Sequence, residues 1–354
     1  MTGFPKVSCY SAHRGSGAPY VRADGSHNDA MIRALARYST VTMMITPWYS
    51  VREASRADVL LRLREMNPRI RILGYTLLGW WYLPQTFTVS ASDKSFAGSW
   101  HDAIKSTGGF GEANGTGWWV KWENPATESA LTNLLCGSAS SRLFDGHFYD
   151  FLSPDDSAGA SAMQRMIAKV KAAGGPGFTV HGNGWGADDL DTDGSFREGF
   201  PSLLGHDFEH VRQWRAGRPH RTEDWLQAGS GVTSFDTEDA KRQARFAHGT
   251  ACLFDMQCSF GPDRDAPYLY PQMWLPEYDG GGIGAGWLGE PASEPLASGG
   301  LWRRVFSGGM VVVNEGSVSV TTNLPRGLCR LSDGAEMGSV TVPAMDCVML
   351  WRAR

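Results

Sequence analysis

The chain has 354 residues, 42% of them hydrophobic, which is enough to bury a large core and excludes an intrinsically disordered protein. Its formal charge is −4, and its 33 lysines and arginines are spread along the whole length, so no basic patch for nucleic acid or an anionic membrane is indicated. No apolar run approaches the roughly 18 residues of a membrane-spanning helix, and the opening MTGFPKVSCYSAHRG lacks the layout of a signal peptide, so we expect a soluble protein, either cytoplasmic or secreted.

Short apolar segments alternate with longer segments of helical period from the N-terminus onward, a pattern typical of repeated βα units. We predict eight strands, at residues 4–10, 39–46, 69–78, 142–151, 177–183, 200–209, 231–235 and 250–259. The predicted helices, each with a polar cap, an entry proline or an exit glycine, span residues 26–37, 50–66, 126–135, 161–173 and 236–249. Because no glycine-rich phosphate loop of an open doubly wound sheet is present, the pattern predicts an α/β protein with a (β/α)8 TIM barrel over residues 1–295.

Two segments depart from this alternation. Residues 79–121 form a long insertion after the third strand, on the C-terminal face of the barrel, where long loops are usually functional. After the Gly- and Pro-rich stretch 280–300, only strand-type patterns follow, which predicts a small antiparallel β-module at 301–354. This module carries no cluster of catalytic residue types, so we expect it to pack on the barrel and stabilise it.

The six cysteines lie far apart without a CxxC pair, which excludes a zinc ribbon and a dense disulfide framework. We predict buried thiols, with Cys329 and Cys347 as a candidate disulfide in an oxidising compartment, because they fall on neighbouring strand-like segments. The chain also contains 14 tryptophans and 43 glycines. Aromatic faces stack on sugar rings and glycines permit the tight loops that carry them, although a large aromatic core has a similar composition.

Two carboxylates are predicted at the C-terminal ends of barrel strands, where barrel enzymes hold their reactive groups. Asp150 ends the fourth strand in FDGHFYDF, and Glu209 ends the sixth in SLLGHDFEH. Glycoside hydrolysis needs such a pair, one ionised and one protonated. The alternative, purely structural roles are a helix N-cap for Asp150 and a salt bridge with Arg212 or Arg215 for Glu209. Substitutes, should the strand ends be misplaced, are Asp145 and Asp207.

Other polar and aromatic residues fall near predicted strand ends or in the insertion, where a substrate can touch them. The predicted substrate-binding residues are Tyr10, Trp48, Tyr75, Trp81, Lys121, Trp122, Asn183, Trp185, Asp255 and Glu277. Each single tryptophan is more often a core residue than a sugar platform. Three aromatic clusters in rim loops are harder to bury together, so we expect at least two exposed rings.

Four segments of the sequence resemble the amylase-like and α-galactosidase-like superfamily of glycoside-hydrolase TIM barrels with a C-terminal β-domain. They are DGHFYDF, GHDFEHV, WLPEYDGG with GWLGEP, and WRRVFSGGMVVVNEG. The resemblance implies retaining hydrolysis of an oligo- or polysaccharide, with Asp150 as nucleophile and Glu209 as general acid/base. Retention requires the two carboxyl groups to lie roughly 5–5.5 Å apart, whereas roughly 6.5–9.5 Å indicates inversion.

Two other functions compete with this one. His206, Glu209 and His210 match H-x-x-E-H, a zinc-hydrolase signature that requires all five residues on one helix. A barrel that binds carbohydrate without cleaving it is the second alternative. We predict a carbohydrate partner and no cofactor, metal, nucleic acid or membrane, and the sequence leaves the sugar and the oligomeric state open.

Overall fold

A computed structural model describes most of the chain. The described residues are 3–10, 20–22, 25–45, 57–82, 102–113, 117–152, 157–184, 186–201, 207–218, 223–229, 237–261 and 274–353. Of residues 80–82, 112–113 and 117–118, and of Met44, only the backbone is described.

Eight strands form one sheet in the order in which they occur along the chain. They are β1 (Ser8–Cys9), β2 (Thr40–Met44), β3 (Arg71–Leu77), β7 (Gly146–Asp150), β8 (Thr179–Gly182), β9 (Gly194–Phe200), β10 (Trp225–Ala228) and β11 (Gln257–Phe260). The pairs β3–β7, β7–β8, β8–β9 and β10–β11 are parallel. Sequential parallel strands joined by crossovers are the mark of a (β/α)8 barrel, and the predicted TIM barrel is confirmed.

The helices begin and end close to the predicted caps and breakers. They are α1 (Asp29–Leu35), α2 (Ala57–Met66), α3 (102–106), α4 (Pro125–Ser140), α5 (Ser157–Gly174), α6 (Phe208–Ala216), α7 (Glu238–Leu253) and α8 (Pro276–Asp279). Helix α4 shows the local reason: the Asn124 side chain accepts a hydrogen bond from the Ala126 N–H, and Pro125 takes the first helical position.

The fourth barrel strand, β7, is buried along its whole length, and its two faces carry different chemistry. Phe148 stacks on Tyr75 of β3 with ring centroids 5.9 Å apart and meets the edge of Phe196 at 5.3 Å. On the opposite face, His147 bonds to Ser138 of α4 at 3.2 Å. Because side chains alternate along a strand, Asp150 lies on the face of Phe148, inside the barrel and at the strand's C-terminal end.

The predicted positions of three strands differ from the structure. Strands six and seven begin earlier in the chain than predicted, and strand eight begins later. Strand six is β9 at 194–200, not 200–209. Strand seven is β10 at 225–228, and the predicted segment 231–235 lies outside the described residues. The segment 250–259 is split, because α7 continues to Leu253 and β11 begins only at Gln257. The helical run 246–253 is buried throughout and mostly apolar, so its sequence resembles that of a buried strand.

The insertion after β3 contains regular structure. The strands β4 (Trp80–Tyr82), β5 (Phe110–Ala113) and β6 (Gly117–Val120) form an antiparallel sheet in the order β4–β6–β5. Its last strand leads directly into Trp122 and α4, so the insertion is anchored at both ends to barrel elements.

The predicted C-terminal antiparallel β-domain is confirmed. Its strands are β12 (Leu296–Ser298), β13 (Leu301–Phe306), β14 (Gly309–Asn314), β15 (Val320–Asn323), β16 (Leu328–Arg330), β17 (Ser339–Val342) and β18 (Asp346–Arg352). Five of them form the sheet β12–β13–β14–β18–β16, and β15 pairs with β17. Val312, Leu328, Val342 and Leu350 lie in its core, each 0% exposed.

The candidate disulfide between Cys329 and Cys347 is wrong. Cys329 on β16 is opposite Trp351 of β18, whereas Cys347 is opposite Val313 of β14. Four residues of β18 separate the two positions, too far for a disulfide. All six cysteines are free thiols.

By its backbone contacts the chain divides into two compact units. One comprises Met1–Tyr10, Arg37–Thr40 and Arg197–Arg354, and the other comprises Ser11–Ala36 and Val41–Phe196. The domain division predicted between 295 and 301 stays a prediction.

Candidate functional site

The carboxylate of Asp150 is held by three hydrogen bonds at the end of strand β7. The Tyr75 hydroxyl donates to Oδ2 at 2.5 Å, and the Asn183 amide donates to Oδ1 at 2.9 Å. The backbone N–H of Phe151 also donates to Oδ1 at 2.9 Å. Asp150 is only 7% exposed. Both oxygens therefore have fixed directions, as a group that must attack one atom of a bound substrate requires.

These donors are positioned by the ends of neighbouring parallel strands. Tyr75 lies on β3 opposite Phe148, so its ring reaches along the barrel interior to the carboxylate. Asn183 directly follows β8, and its backbone is fixed by two bonds: its N–H donates to the Tyr149 carbonyl at 2.8 Å and its carbonyl accepts from the Leu152 N–H at 2.7 Å. The predicted residues Tyr75 and Asn183 are therefore brought together with Asp150. Tyr75 is 3% exposed, so in this arrangement it holds the carboxylate rather than lining a cleft.

The predicted location of Glu209 at a strand end is wrong. Glu209 lies in the first turn of helix α6, whose N-cap is Asp207. Its side chain is 49% exposed and forms an ion pair with Arg212, and it accepts a hydrogen bond from Gln213 at 2.7 Å. The hydrogen bond from Arg212 lowers the pKa of Glu209 to about 2. A carboxyl group with this pKa is ionised at neutral pH, which is the wrong state for a general acid.

Neither of the two substitute carboxylates lies at the C-terminal end of a strand. Asp145 precedes β7 at the entrance of the strand, where it accepts hydrogen bonds from Arg64 at 3.0 Å and from the Ile72 N–H at 2.8 Å. Asp207 caps α6 by accepting from the His210 N–H at 2.8 Å. Both are structural, one joining the strand to α2 and the other starting a helix.

The H-x-x-E-H motif does not lie on one helix. Helix α6 begins at Phe208, and the cap Asp207 is extended, with φ −79° and ψ 179°. His206 lies outside the described residues. Helical i,i+4 spacing from position 206 to His210 is therefore broken at Asp207, and the zinc alternative loses its structural requirement. Within the described ranges, no three histidine, cysteine, aspartate or glutamate side chains are grouped so as to hold a metal ion.

The remaining predicted substrate contacts fall into three groups, the first of which is the core. Tyr10 is 1% exposed and Trp122 is 3% exposed, and the Trp122 indole N–H donates to the Leu78 carbonyl at 3.1 Å. Both rings are buried in this structure, and their assignment as contact residues stays a prediction. Lys121 is exposed at the end of β6, and its assignment stays a prediction.

The second group consists of two carboxylates, Asp255 and Glu277, that interact with arginines. Asp255 lies in the turn between α7 and β11, at the N-terminal end of the strand, and its carboxylate accepts from Arg304 at 2.9 and 3.1 Å. Its predicted place within the eighth strand is therefore wrong, and its role as a substrate contact stays a prediction. Glu277 lies on α8, half-buried, and burial raises its pKa, while Arg245 lowers it. Its role in binding stays a prediction.

The third group lies outside the described residues. Trp48 and Trp185 are not described, and of Trp81 only the backbone on β4 is described. Their assignments stay predictions.

One carboxylate on the sixth strand was missed. Glu198 is half-buried on β9, two residues after Phe196, whose ring packs on Phe148. Arg197, between them, places its guanidinium 4.2 Å from the ring of Trp214 on α6, so the strand alternates in the usual way and Glu198 shares the face of Phe196. The alternating sequence FREGF at 196–200 is a strand pattern that indicates this position, whereas the sixth strand was predicted in the more apolar segment 200–209.

Comparison with known proteins agrees with this architecture. The chain is similar to Amy13B of Eubacterium rectale at 9% identity and a TM-score of 0.59, covering 100% of this chain and 97% of that one. It is similar to pullulanase type I from Bacillus subtilis, solved with maltose, at 13% identity and a TM-score of 0.57, covering 98% and 70%. The fold that the chain shares with these structures is a (β/α)8 barrel with a C-terminal β-domain.

The galactosidase domain of an α-galactosidase–sucrose kinase has the same fold, at 11% identity and a TM-score of 0.51, covering 98% of this chain and 54% of that one. No protein-family model and no curated protein matches the sequence. At these identities the likeness establishes the shared fold. Across the described ranges, none of the helices is at once long and apolar enough to cross a bilayer.

Proposed function

We propose that this barrel is a glycoside hydrolase and that Asp150 is its nucleophile. The observation that carries the proposal is the Asp150 carboxylate, hydrogen-bonded through both oxygens at the C-terminal end of the fourth strand. Active sites of TIM-barrel enzymes lie at this end of the strands. The solved structures of the same fold include pullulanases and amylases, which supports hydrolysis of a glycosidic bond over other barrel chemistries.

The mechanism we propose is a retaining double displacement. An ionised Asp150 oxygen forms a bond to the anomeric carbon while the glycosidic C–O bond breaks, and the departing oxygen takes a proton from a general acid. The same group then removes a proton from water, whose oxygen displaces Asp150 from the anomeric carbon. The donors Tyr75 and Asn183 keep the carboxylate oriented through both steps.

For the general acid/base we propose Glu198 in place of Glu209. Glu198 is a half-buried carboxylate on the sixth strand of the sheet, the strand on which the acid/base was predicted. Glu209, in contrast, lies on a helix in an ion pair that keeps it ionised. The predicted pairing of the fourth and sixth strands is thereby kept, with a different residue on the sixth.

The names of the solved neighbours suggest which substrates to try first. Pullulanase, maltogenic amylase and cyclomaltodextrinase are names of enzymes that act on α-glucans, and one neighbour is an α-galactosidase domain. We propose α-linked oligo- or polysaccharides as the substrate class. A panel should contain maltotriose, pullulan, cyclomaltodextrin and raffinose, with β-linked glucans for contrast.

The test of Asp150 compares the parent with Asp150→Asn on this panel. We expect turnover to fall by at least about 10³-fold, because the neutral amide cannot attack the anomeric carbon. Asp191→Asn is the matched control, since this carboxylate is 74% exposed on a turn. The nucleophile assignment is refuted if Asp150→Asn keeps parental turnover. Sugar binding by the parent without hydrolysis of any panel member would favour the non-catalytic barrel instead.

The test of Glu198 compares substrates whose leaving groups do and do not need a proton to depart. Glu198→Gln should lose hydrolysis of natural glycans but keep most of its activity on dinitrophenyl glycosides, whose leaving group departs without a proton. Glu209→Gln should behave like the parent on both. The reverse outcome, with Glu209→Gln showing the leaving-group dependence, would restore the original assignment. Proton NMR of the first-formed product anomer decides between retention and inversion.

A further inference from the structure

Two aromatic side chains are exposed in this part of the chain, one directly after Asp150 and one in the insertion. Among the described side chains the large exposed hydrophobic residues include only two aromatics, Phe151 and Trp119, each 39% exposed. Phe151 directly follows the proposed nucleophile, and Trp119 lies on strand β6 of the insertion.

The exposed position of Phe151 is held by the backbone against a steric cost. Its φ is +54°, in the left-handed region that a bulky residue adopts only under strain. Its N–H donates to Asp150 Oδ1 at 2.9 Å, and the Leu78 N–H donates to the Asp150 carbonyl at 2.9 Å. A bulky residue held in this conformation directly after the proposed nucleophile, with its side chain 39% exposed, is a candidate for ligand contact.

The segment Leu78–Gly79 connects both exposed rings to the site. A Cβ at Gly79 would come within 2.2 Å of the Phe151 carbonyl oxygen, so only glycine lets the two backbones approach this closely. The Gly79 carbonyl also accepts the Val120 N–H at 2.9 Å, which fixes β6 next to this segment. Val120 is buried at 5%, and strand alternation turns the preceding Trp119 outward.

We infer that Phe151 is a stacking platform for the sugar ring bound next to Asp150, and that Trp119 is a platform for another ring of the same chain. Aromatic faces bind the C–H faces of pyranose rings, and backbone hydrogen bonds fix the Phe151 backbone and the β6 backbone next to Trp119. The inference rests on the proposed function and deepens it. The substrate class is an oligosaccharide of at least two rings, in preference to a simple glycoside.

The experiment measures binding and turnover separately. Binding of maltotriose, isomaltotriose, raffinose and cellotriose is measured by calorimetry on the Asp150→Asn protein, with or without Phe151→Gly. Glycine adopts φ +54° freely and keeps the N–H donor, so this variant should fold at least as well as the parent. In this background we expect Phe151→Gly to raise the Kd for the best-bound trisaccharide about tenfold. In the protein that keeps Asp150, Phe151→Gly should raise KM by a similar factor at nearly unchanged kcat.

Conservative and control variants complete the test. Phe151→Tyr should bind like the parent, Trp119→Ala should weaken the trisaccharide more than the matching disaccharide, and Leu61→Ala, which removes a side chain 54% exposed on α2, should change nothing. Parental Kd and KM in Phe151→Gly would overturn the inference while leaving the hydrolase intact. Absence of binding for all four sugars would also overturn it. Weakened binding in a protein that hydrolyses none of them would uphold the platform and refute the proposed activity.

Discussion

At the scale of single residues, the chemistry of this protein depends on what surrounds each carboxylate rather than on where the carboxylate falls in the sequence. Asp150 receives three uncharged donors from Tyr75, Asn183 and the Phe151 backbone. Glu209 receives the guanidinium of Arg212 on its own helix. These three hydrogen bonds orient the Asp150 carboxylate without adding a charge to it. The Glu209 carboxylate, in contrast, is part of a surface ion pair.

Removal of the Tyr75 hydroxyl tests the orienting role. We expect Tyr75→Phe to lower kcat about 10- to 100-fold with KM nearly unchanged, because a hydrogen bond to a charged group contributes about 1.5–3 kcal/mol. Tyr149→Phe is the matched control: its buried hydroxyl bonds to His147 at 2.8 Å on the opposite face of the strand. It should cost stability without changing kcat. Equal kcat losses in the two variants would mean that Tyr75 acts only through the fold.

The ionisation of Glu209 makes a separate prediction. A carboxyl group whose pKa is lowered from 4.5 to about 2 stabilises the fold above pH 4.5 and loses this contribution as pH falls towards 2. No titration of Glu209 therefore occurs in the working range of a typical enzyme. We expect the kcat/KM profile of Glu209→Gln to coincide with that of the parent between about pH 4 and pH 9. Loss of one limb of the profile would contradict this.

At the scale of elements, a single arginine joins the C-terminal end of α7 to β13. Arg304 is 4% exposed and donates to the carbonyls of Cys252 and Leu253 at 3.0 and 2.7 Å, as well as to Asp255. The last carbonyls of a helix have no partner within it, so this guanidinium satisfies groups that otherwise stay unpaired. The left-handed φ of +58° at Asp255 is compatible with the same clamp.

We predict that Arg304→Met lowers the free energy of unfolding by about 3 kcal/mol, because it leaves buried carbonyls unpaired. Urea unfolding followed by circular dichroism measures the loss. Arg330→Met is the control, since Arg330 is 52% exposed in an ion pair with Asp333 and should change stability by less than about 0.5 kcal/mol. A loss of the same small size in both variants would show that the clamp is dispensable.

At the scale of the whole molecule, two buried histidines couple stability to pH. His147 on β7 and His248 on α7 are 0% and 1% exposed. Burial lowers the pKa of His147 to about 3 and that of His248 to about 4. Within the described part of the chain, Nε2 of His248 has no hydrogen-bond partner, so the neutral ring is the form that the fold accommodates.

The sign of the effect follows from the unfolded state. Unfolded histidines bind a proton below about pH 6.5 whereas these two do not, so stability is full above that pH and falls as pH decreases towards 4 and 3. We expect a loss of about 2 kcal/mol per histidine between pH 7 and pH 5. His248→Gln should remove roughly half of this dependence in urea unfolding. An unchanged slope in this variant would refute the assignment.

The local pattern of the chain was sufficient for the barrel, most of its helices, the C-terminal β-domain and the position of Asp150. Caps and breakers such as Asn124–Pro125 act through neighbouring backbone groups, so their effect is visible within a few residues. Asp150 was predictable because FDGHFYDF contains a whole buried strand with its end.

The tertiary structure alone decided the rest, because strand limits are set by pairing with distant residues. Strand six begins at Gly194, where Gly194 and Ser195 pair with β8, and this long-range register moves its carboxylate from position 209 to Glu198. Tyr10 and Trp122 were predicted to contact substrate but are buried, and their burial also depends on distant residues. Whether an aromatic ring is buried depends on the elements that cover it, and neither its type nor its neighbours along the chain contain that information.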